Sequence, residues 1–135
     1  MSKNILFVCK HNRFRSKVAE AFFNKLNKNK SYSAFSAGLI PGTYPLDKEQ
    51  TKVAERFGIK LTGRPKPITI DLLKKIYLMV IVADNVAPEV FNNQKYGVKE
   101  DLWNIEDDYT GDATRISSII KRIEDKVKNL VETLQ

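Results

Sequence analysis

A short apolar run near the start of the chain, from Asn4 to Cys9, constrains the fold more strongly than any other sequence feature. The run stops at a polar segment, a pattern typical of a buried parallel strand whose side chains are covered on both faces. From Ser16 to about Asn27, apolar side chains recur with helical spacing, which predicts an amphipathic helix. The chain is therefore expected to begin with a strand, a loop and a helix.

The remaining sequence continues to alternate between strand and helix patterns. Further strands are predicted from Tyr32 to Ala37, from Tyr77 to Ala83 and, with a weaker pattern, from Val98 to Trp103. One helix is predicted from Asp47 to Gly58, with Gln50 completing a capping box at its start, and another from Thr69 to Ile76. A further short helix is predicted to start at Asp84 and Asn85, and a last helix is predicted from about Thr114 to the end. This alternation indicates a single α/β domain over residues 1–135, with a parallel sheet flanked by helices on both faces.

Composition limits the compartment and the kinds of partner. A single cysteine cannot form an internal disulfide, and a single histidine leaves no zinc-binding cluster, so we expect a reducing compartment and no metal or other cofactor. The apolar runs are too short for a signal peptide or a bilayer span, which predicts a cytoplasmic protein without a membrane partner. Lysine and arginine total 23 against 16 acidic residues, which favours anionic partners in general. Nucleic acid is not expected as a partner, because the sequence contains no recognised nucleic-acid-binding motif.

The segment after the first strand, from Cys9 to Ser16, reads C-x-x-x-x-x-R-S. A thiol at the carboxyl end of a strand, followed by a loop that opens a helix, lies where backbone N–H groups and the positive helix end converge. Such a position binds tetrahedral oxyanions and stabilises a thiolate, so Cys9 is expected to ionise more readily than a free cysteine. We interpret Cys9 as a candidate nucleophile in an oxyanion pocket.

Three residues near Cys9 have side chains suited to such a pocket. Arg15 can offer two parallel N–H donors to two phosphate oxygens. Ser16 can donate a hydroxyl hydrogen bond to the thiolate, and Asn12 tolerates the left-handed backbone that holds a tight loop closed. A single cysteine at a strand end is more often a buried core residue. The arginine, the serine and the flanking strand and helix favour the catalytic interpretation.

The sequence CKHNRFRS after NILFV resembles the phosphate-binding loop of the low-molecular-weight protein tyrosine phosphatases and of their thiol-dependent arsenate reductase relatives. The segment Ser36-Ala37-Gly38 is similar to the family's segment after its second strand. The similarity extends over essentially the whole chain. It implies a phosphatase I-like fold with four parallel strands in the order 2-1-3-4 and a site at the carboxyl ends of the strands.

The resemblance also implies a general acid in the late acidic segment, 105–109. The aspartate of the family's Asp-Pro-Tyr motif corresponds to Asp107, and its tyrosine to Tyr109, an aromatic wall of the site. Asp108 replaces the proline and is the alternative acid. A solvated acidic loop is the other interpretation of this cluster.

The other loop residues are expected to bind substrate or to shape its site. Lys10 and His11 face either solvent or the mouth of the pocket, and a histidine here resembles the arsenate reductase members. Arg13 is expected to steer anions. Phe14 stands where many tyrosine phosphatases have a second cysteine, so their protective disulfide is not expected. Tyr44, in the segment 39–46, is expected to form one wall.

Together these residues predict a cysteine-dependent phosphomonoester hydrolase, most consistent with a protein tyrosine phosphatase that forms a phosphocysteine. The expected partners are a phosphotyrosine protein or a small phosphate ester, and inorganic phosphate or another oxyanion. One alternative is an arsenate reductase that draws electrons from an external thiol, because the chain has no second cysteine. The other is a phosphate-binding module without catalytic activity.

Overall fold

The four strands lie in one parallel sheet. The computed structural model describes residues 3–91 and 97–134, which contain β1 (Lys3–Cys9), β2 (Tyr32–Gly38), β3 (Ile76–Val82) and β4 (Lys99–Trp103). The strand order is β2-β1-β3-β4, and every neighbouring pair is parallel. This order confirms the predicted α/β fold with its 2-1-3-4 arrangement.

Helices connect the strands, and three of those described begin at a side chain that caps the first turn. They are α1 (Arg15–Leu26), α2 (Lys48–Arg56), α3 (Ile70–Lys74) and α4 (Ala113–Thr133), with a 3-10 turn at Pro88–Phe91. The side chains of Asp47, Thr69 and Asp112 accept hydrogen bonds from the first turns of α2, α3 and α4. Among the helices in the described ranges, none is long and apolar enough to cross a membrane.

The central strands are covered on both faces, as their continuous apolar sequences require. One face packs against α1, α2 and α4 in a core that includes Phe7, Phe22 and Ile119. The opposite face, represented by Leu6 and Met79, packs against α3 and the 3-10 turn. From Ile5 to Val8, successive residues of β1 thus face different cores, which holds the end of the strand that leads to Cys9 in a fixed position.

Two helix predictions differ from the structure. Asp84 and Asn85 do not begin a helix; the 3-10 turn begins only at Pro88, because Asp84 and Asn85 instead pair with Arg15. The helix capped by Thr69 ends at Lys74, because Ile76 already belongs to the buried strand β3. Residues 92–96 and the predicted helix end at Gln135 lie outside the described residues.

Candidate active site

Cys9 lies at the carboxyl end of β1, where the chain turns through residues 10–14 into α1. Its side chain is buried, with 2% of the residue exposed. The backbone N–H of Ser16 donates to the Cys9 Sγ at 3.4 Å, and the Ser16 Oγ lies 2.9 Å from the same sulfur. Cys9 therefore receives polar contacts from the first turn of α1, which a purely apolar core cysteine would not have.

Asn12 determines the direction of the hydrogen bond between Ser16 and Cys9. The Asn12 Nδ2 donates to the Ser16 Oγ at 2.7 Å, so the hydroxyl proton of Ser16 is free to point at the sulfur. The Asn12 Oδ1 accepts from the backbone N–H of Lys66 at 2.9 Å. Asn12 is fully buried with a φ of 54°, the left-handed conformation that the sequence predicted. The series of hydrogen bonds from the Lys66 N–H through Asn12 and Ser16 thus ends on the Cys9 sulfur.

Gly38 allows the loop to lie directly against the end of β2. Gly38 pairs with Cys9 across the two strands. A Cβ at this position would lie 2.7 Å from the His11 carbonyl carbon and 2.8 Å from the Asn12 nitrogen, both backbone atoms that cannot move independently of the loop. Glycine is therefore required here by the close approach of two backbone segments.

Arg15 is buried beneath the pocket, with 1% of the residue exposed. Its Nη1 donates to the carbonyl oxygen of Ile105 at 2.8 Å, and its Nη2 donates to Asn85 Oδ1 at 3.0 Å. The carboxylates of Asp107 and Asp84 lie at 3.5 Å and 3.6 Å. A guanidinium has five N–H donors, so donors are left for a ligand while the loops after β3 and β4 hold the group in place.

Asp107 enters the same pocket from the loop after β4. Its Oδ2 faces the Arg15 Nη2 at 3.5 Å, and its Oδ1 accepts from the Asp108 backbone N–H at 2.9 Å. The preceding residue, Glu106, is held by Arg115 at 2.7 Å and by Arg122 at 3.0 Å, both on α4. The segment that carries Asp107 is therefore fixed on one side by Arg15 and on the other by α4.

The Asp108 carboxylate has a different set of contacts. Its Oδ1 accepts from the backbone N–H and the hydroxyl of Thr110, and both oxygens accept from the N–H of Gly111 at 3.1–3.2 Å. These bonds cap the turn that leads into α4. Asp108 is therefore occupied as a turn residue, which favours Asp107 as the carboxyl group available to a ligand.

A pocket of about 80 Å³ brings the predicted residues together. We call it the Cys9 pocket; it is lined by Cys9, His11, Arg13, Phe14, Arg15, Gln50, Asp107 and Asp108. The predicted loop residues Asn12 and Ser16 lie behind it and support the sulfur. Lys10 does not line the pocket, and Tyr109 is 77% exposed outside it, so the predicted aromatic wall is not formed by Tyr109.

Tyr44 also differs from its predicted position. It lines a neighbouring groove of about 450 Å³ between residues 44–55 and 61–63, not the Cys9 pocket. The Arg64 guanidinium lies over its ring, 5.3 Å from the centroid. This contact gives the tyrosine face a cation partner within the chain.

Four residues of the site were not found by sequence reasoning: Asp84, Asn85, Gln50 and Glu106. Asp84 and Asn85 directly follow β3, and ligands of open α/β sheets bind at the carboxyl ends of the strands, so their position was the signal available. Gln50 and Glu106 carried no comparable signal. Gln50 reaches the pocket because it lies on α2. Glu106 contributes by its ion pairs with Arg115 and Arg122 of α4.

A buried lysine in the first turn of α1 supports the chain segment 62–64, which precedes Lys66. The Lys17 Nζ donates to the carbonyl oxygens of Thr62 and Arg64 at 3.0 and 3.3 Å. Burial lowers the pKa of Lys17, and the nearby positive charge of Lys66 lowers it further. Lys17 thus fixes the segment whose Lys66 N–H binds Asn12.

The hydrogen bonds of Asn12 can be separated from its backbone conformation. Asn12→Gly removes both side-chain bonds but accepts a positive φ, and we expect a loss of about 2 kcal/mol in the free energy of unfolding. Asn12→Ala removes the same bonds and adds left-handed strain, for about 1 kcal/mol more. Urea unfolding of both variants measures the two effects. Equal stability of Asn12→Ala and the unsubstituted protein would show that neither contributes.

Comparison with known proteins supports the assignment of the fold. The structure matches a low-molecular-weight protein tyrosine phosphatase from T. tengcongensis with a TM-score of 0.85 and 25% identity, over 98% of this chain and 99% of that one. An arsenate reductase from Archaeoglobus fulgidus DSM 4304 matches with a TM-score of 0.75 and 28% identity, over 95% and 98%. The YwlE arginine phosphatase from Geobacillus stearothermophilus has the same fold, with a TM-score of 0.81 and 21% identity over 98% and 93%.

The sequence itself gives the more direct assignment. No curated protein sequence shows a significant match to this chain. The family model for low molecular weight phosphotyrosine protein phosphatase, however, matches residues 4–135. That range includes the whole C-x-x-x-x-x-R-S segment and the acidic segment that holds Asp107. The chain belongs to the low molecular weight phosphotyrosine protein phosphatase family.

Proposed function

We propose that this protein is a cytoplasmic enzyme that hydrolyses phosphate monoesters through a phosphocysteine on Cys9, with phosphotyrosine as its substrate class. One observation carries the proposal: the Cys9 Sγ receives contacts from the Ser16 N–H and hydroxyl in a pocket shared with Arg15 and Asp107. A sulfur stabilised as a thiolate, a fixed cation and a carboxyl group are the three groups that the reaction needs.

In the first step the Cys9 thiolate attacks phosphorus. The S–P bond forms as the bond from phosphorus to the leaving oxygen breaks, and Asp107 gives its proton to that oxygen. The loop amides and the free N–H donors of Arg15 hold the remaining phosphate oxygens while their charge shifts. The products of this step are the free alcohol or phenol and a phosphocysteine.

In the second step water releases phosphate. Asp107, now a carboxylate, accepts a proton from the attacking water, the new P–O bond forms, and the S–P bond breaks. Cys9 leaves as a thiolate, which the contacts with Ser16 stabilise. The cycle returns Asp107 to its protonated form and needs no further reagent.

Arsenate reduction is the second candidate, favoured by the 28% identity to the arsenate reductase. Arsenate has the shape and charge of phosphate, so the same pocket can present it to Cys9. Reduction takes two electrons from thiols, and the sequence contains a single cysteine. An external thiol must therefore supply them.

A paired assay on the purified protein tests the two candidates. One arm measures phosphate release from para-nitrophenyl phosphate, a phosphotyrosine peptide and phosphoarginine. The other measures arsenite formation from arsenate with thioredoxin, glutaredoxin or a small thiol as donor. We expect turnover of the phosphotyrosine peptide and no arsenite. Arsenite formation without phosphatase activity supports the reductase, and binding of phosphopeptide without any turnover supports a non-catalytic module.

A further inference from the structure

Arg13 is a second cation at the Cys9 pocket, and the proposed chemistry does not use it. It lines the pocket with Cys9 and Arg15. Its Nη2 donates to the Pro45 carbonyl oxygen at 3.3 Å, while its Nε is buried and has no hydrogen-bond partner. Among the ion pairs of the described residues, none involves Arg13. In the described part of the chain, no carboxylate therefore lies within ion-pair distance of the Arg13 guanidinium.

The loop beside the pocket is shaped around this side chain. Gly42 lies against it: a Cβ on Gly42 would lie 2.7 Å from the Arg13 Cγ and closer still to its Cδ. The Gly42 N–H donates to the carbonyl oxygen of His11 at 2.9 Å, so the glycine backbone is itself fixed to the phosphate-binding loop. Arg13 is thus held in a defined position at the pocket, unlike a freely moving surface arginine.

The other ionisable groups of the pocket are already committed to contacts or to the proposed chemistry. Arg15 contacts the reacting phosphate in the proposed mechanism, and Asp107 exchanges the proton. The Asp108 carboxylate accepts from the backbone of Thr110 and Gly111. His11 uses its Nδ1–H to donate to the Ile40 carbonyl oxygen at 2.8 Å, which fixes its ring. Arg13 is the charged group of this pocket that is left to meet a substrate.

We propose that Arg13 is a specificity-determining residue that binds a second anionic group on the leaving-group side of the substrate. The substrate class is then a phosphate monoester that carries a carboxylate or a second phosphate near the ester, such as a phosphotyrosine beside acidic residues. This inference rests on the proposed phosphatase function. A guanidinium that is held in place and has no ion-pair partner among the described residues loses little freedom when it binds an anion, so the contact favours dianionic substrates.

The test compares three substrates: a phosphotyrosine peptide with glutamates beside the phosphotyrosine, the same peptide with glutamines, and para-nitrophenyl phosphate. A small bisphosphate ester forms a fourth arm, which separates a second phosphate from a carboxylate as the preferred group. For the unsubstituted protein we expect kcat/KM to be about tenfold higher for the glutamate peptide than for the glutamine peptide. In Arg13→Gln the ratio should fall to about two, and Arg13→Lys, which keeps the charge, should retain most of it.

Arg56→Gln is the matched control, because it removes the same charge from an exposed position at the end of α2. Its peptide ratio should equal that of the unsubstituted protein. A ratio near one in the unsubstituted protein, or an equal fall in kcat/KM for every substrate in Arg13→Gln, overturns the role of Arg13. Turnover of para-nitrophenyl phosphate in those cases shows that the proposed function still holds. If no substrate is turned over, the proposed function fails. The role of Arg13 is then decided by comparing the affinities of the glutamate and glutamine peptides for Arg13→Gln and for the unsubstituted protein.

Discussion

Replacing Cys9 by serine is expected to lower phosphate-ester turnover by about 10⁴-fold or more. The Ser16 N–H and hydroxyl can stabilise a thiolate, but a serine hydroxyl at the same place ionises far less readily than a thiol and is therefore a much weaker nucleophile. The oxyanion-binding groups, Arg15 and the loop amides, do not depend on the sulfur. We therefore expect inorganic phosphate to bind Cys9→Ser with an affinity within about fivefold of the original.

Three measurements check this expectation. Steady-state turnover gives the loss of rate, isothermal titration with phosphate gives the affinity, and rapid acid quenching followed by mass spectrometry detects the phosphocysteine. Cys9→Ala is the control that removes the heteroatom altogether, and thermal unfolding shows that both variants fold. Turnover of Cys9→Ser within about tenfold of the original would rule out a covalent step through this residue.

The strands were predictable because each one has its own pattern of apolar residues within a short stretch of the sequence. The predicted strands from Asn4 to Cys9 and from Tyr77 to Ala83 agree with β1 and β3 to within one residue at each end. Continuous apolar runs leave little choice of structure, since both faces of these strands must be buried. The order of the strands in the sheet does not follow from the pattern of any one strand. It was implied by the family resemblance and is confirmed by the pairing of β1 with both β2 and β3.

Local spacing predicted the site only where its residues are close together in the sequence. Cys9, Asn12 and Ser16 lie in one loop and the helix turn that follows it, so their spacing alone is enough to predict that they meet. Arg15 belongs to the same motif, but its partners Ile105 and Asn85 are 90 and 70 residues away. Contacts of that kind depend on how the loops meet at the sheet edge, which no local pattern specifies.

Asp107 and Asp108 also show how little a local sequence pattern says about contacts in the site. Sequence reasoning placed the general acid at Asp107 but had only a motif register to set it apart from Asp108. The structure supplies a physical reason. The Asp108 carboxylate accepts hydrogen bonds from the turn at Thr110 and Gly111, whereas Asp107 faces Arg15 in the pocket.

Asp107→Asn is accordingly expected to lower kcat/KM by about 10² to 10⁴-fold on a phosphotyrosine peptide, because asparagine cannot protonate the leaving oxygen in the first step. The loss should shrink for esters whose leaving groups are more acidic, since such groups depart without a proton. A series of aryl phosphates with leaving groups of increasing acidity measures this dependence. The slope of log kcat/KM against leaving-group acidity should become steeper in the variant.

Asp108→Asn is the matched control, because it removes the same charge one residue along the chain and its amide oxygen can still accept from the turn. We expect it to lower kcat/KM by less than about tenfold, without a change in leaving-group dependence. The opposite result, with Asp108→Asn the more damaged variant, would move the general acid to Asp108. Equal losses in both would indicate that the pocket needs the negative charge of this segment more than a proton donor at one position, because the two substitutions share only the removal of a charge.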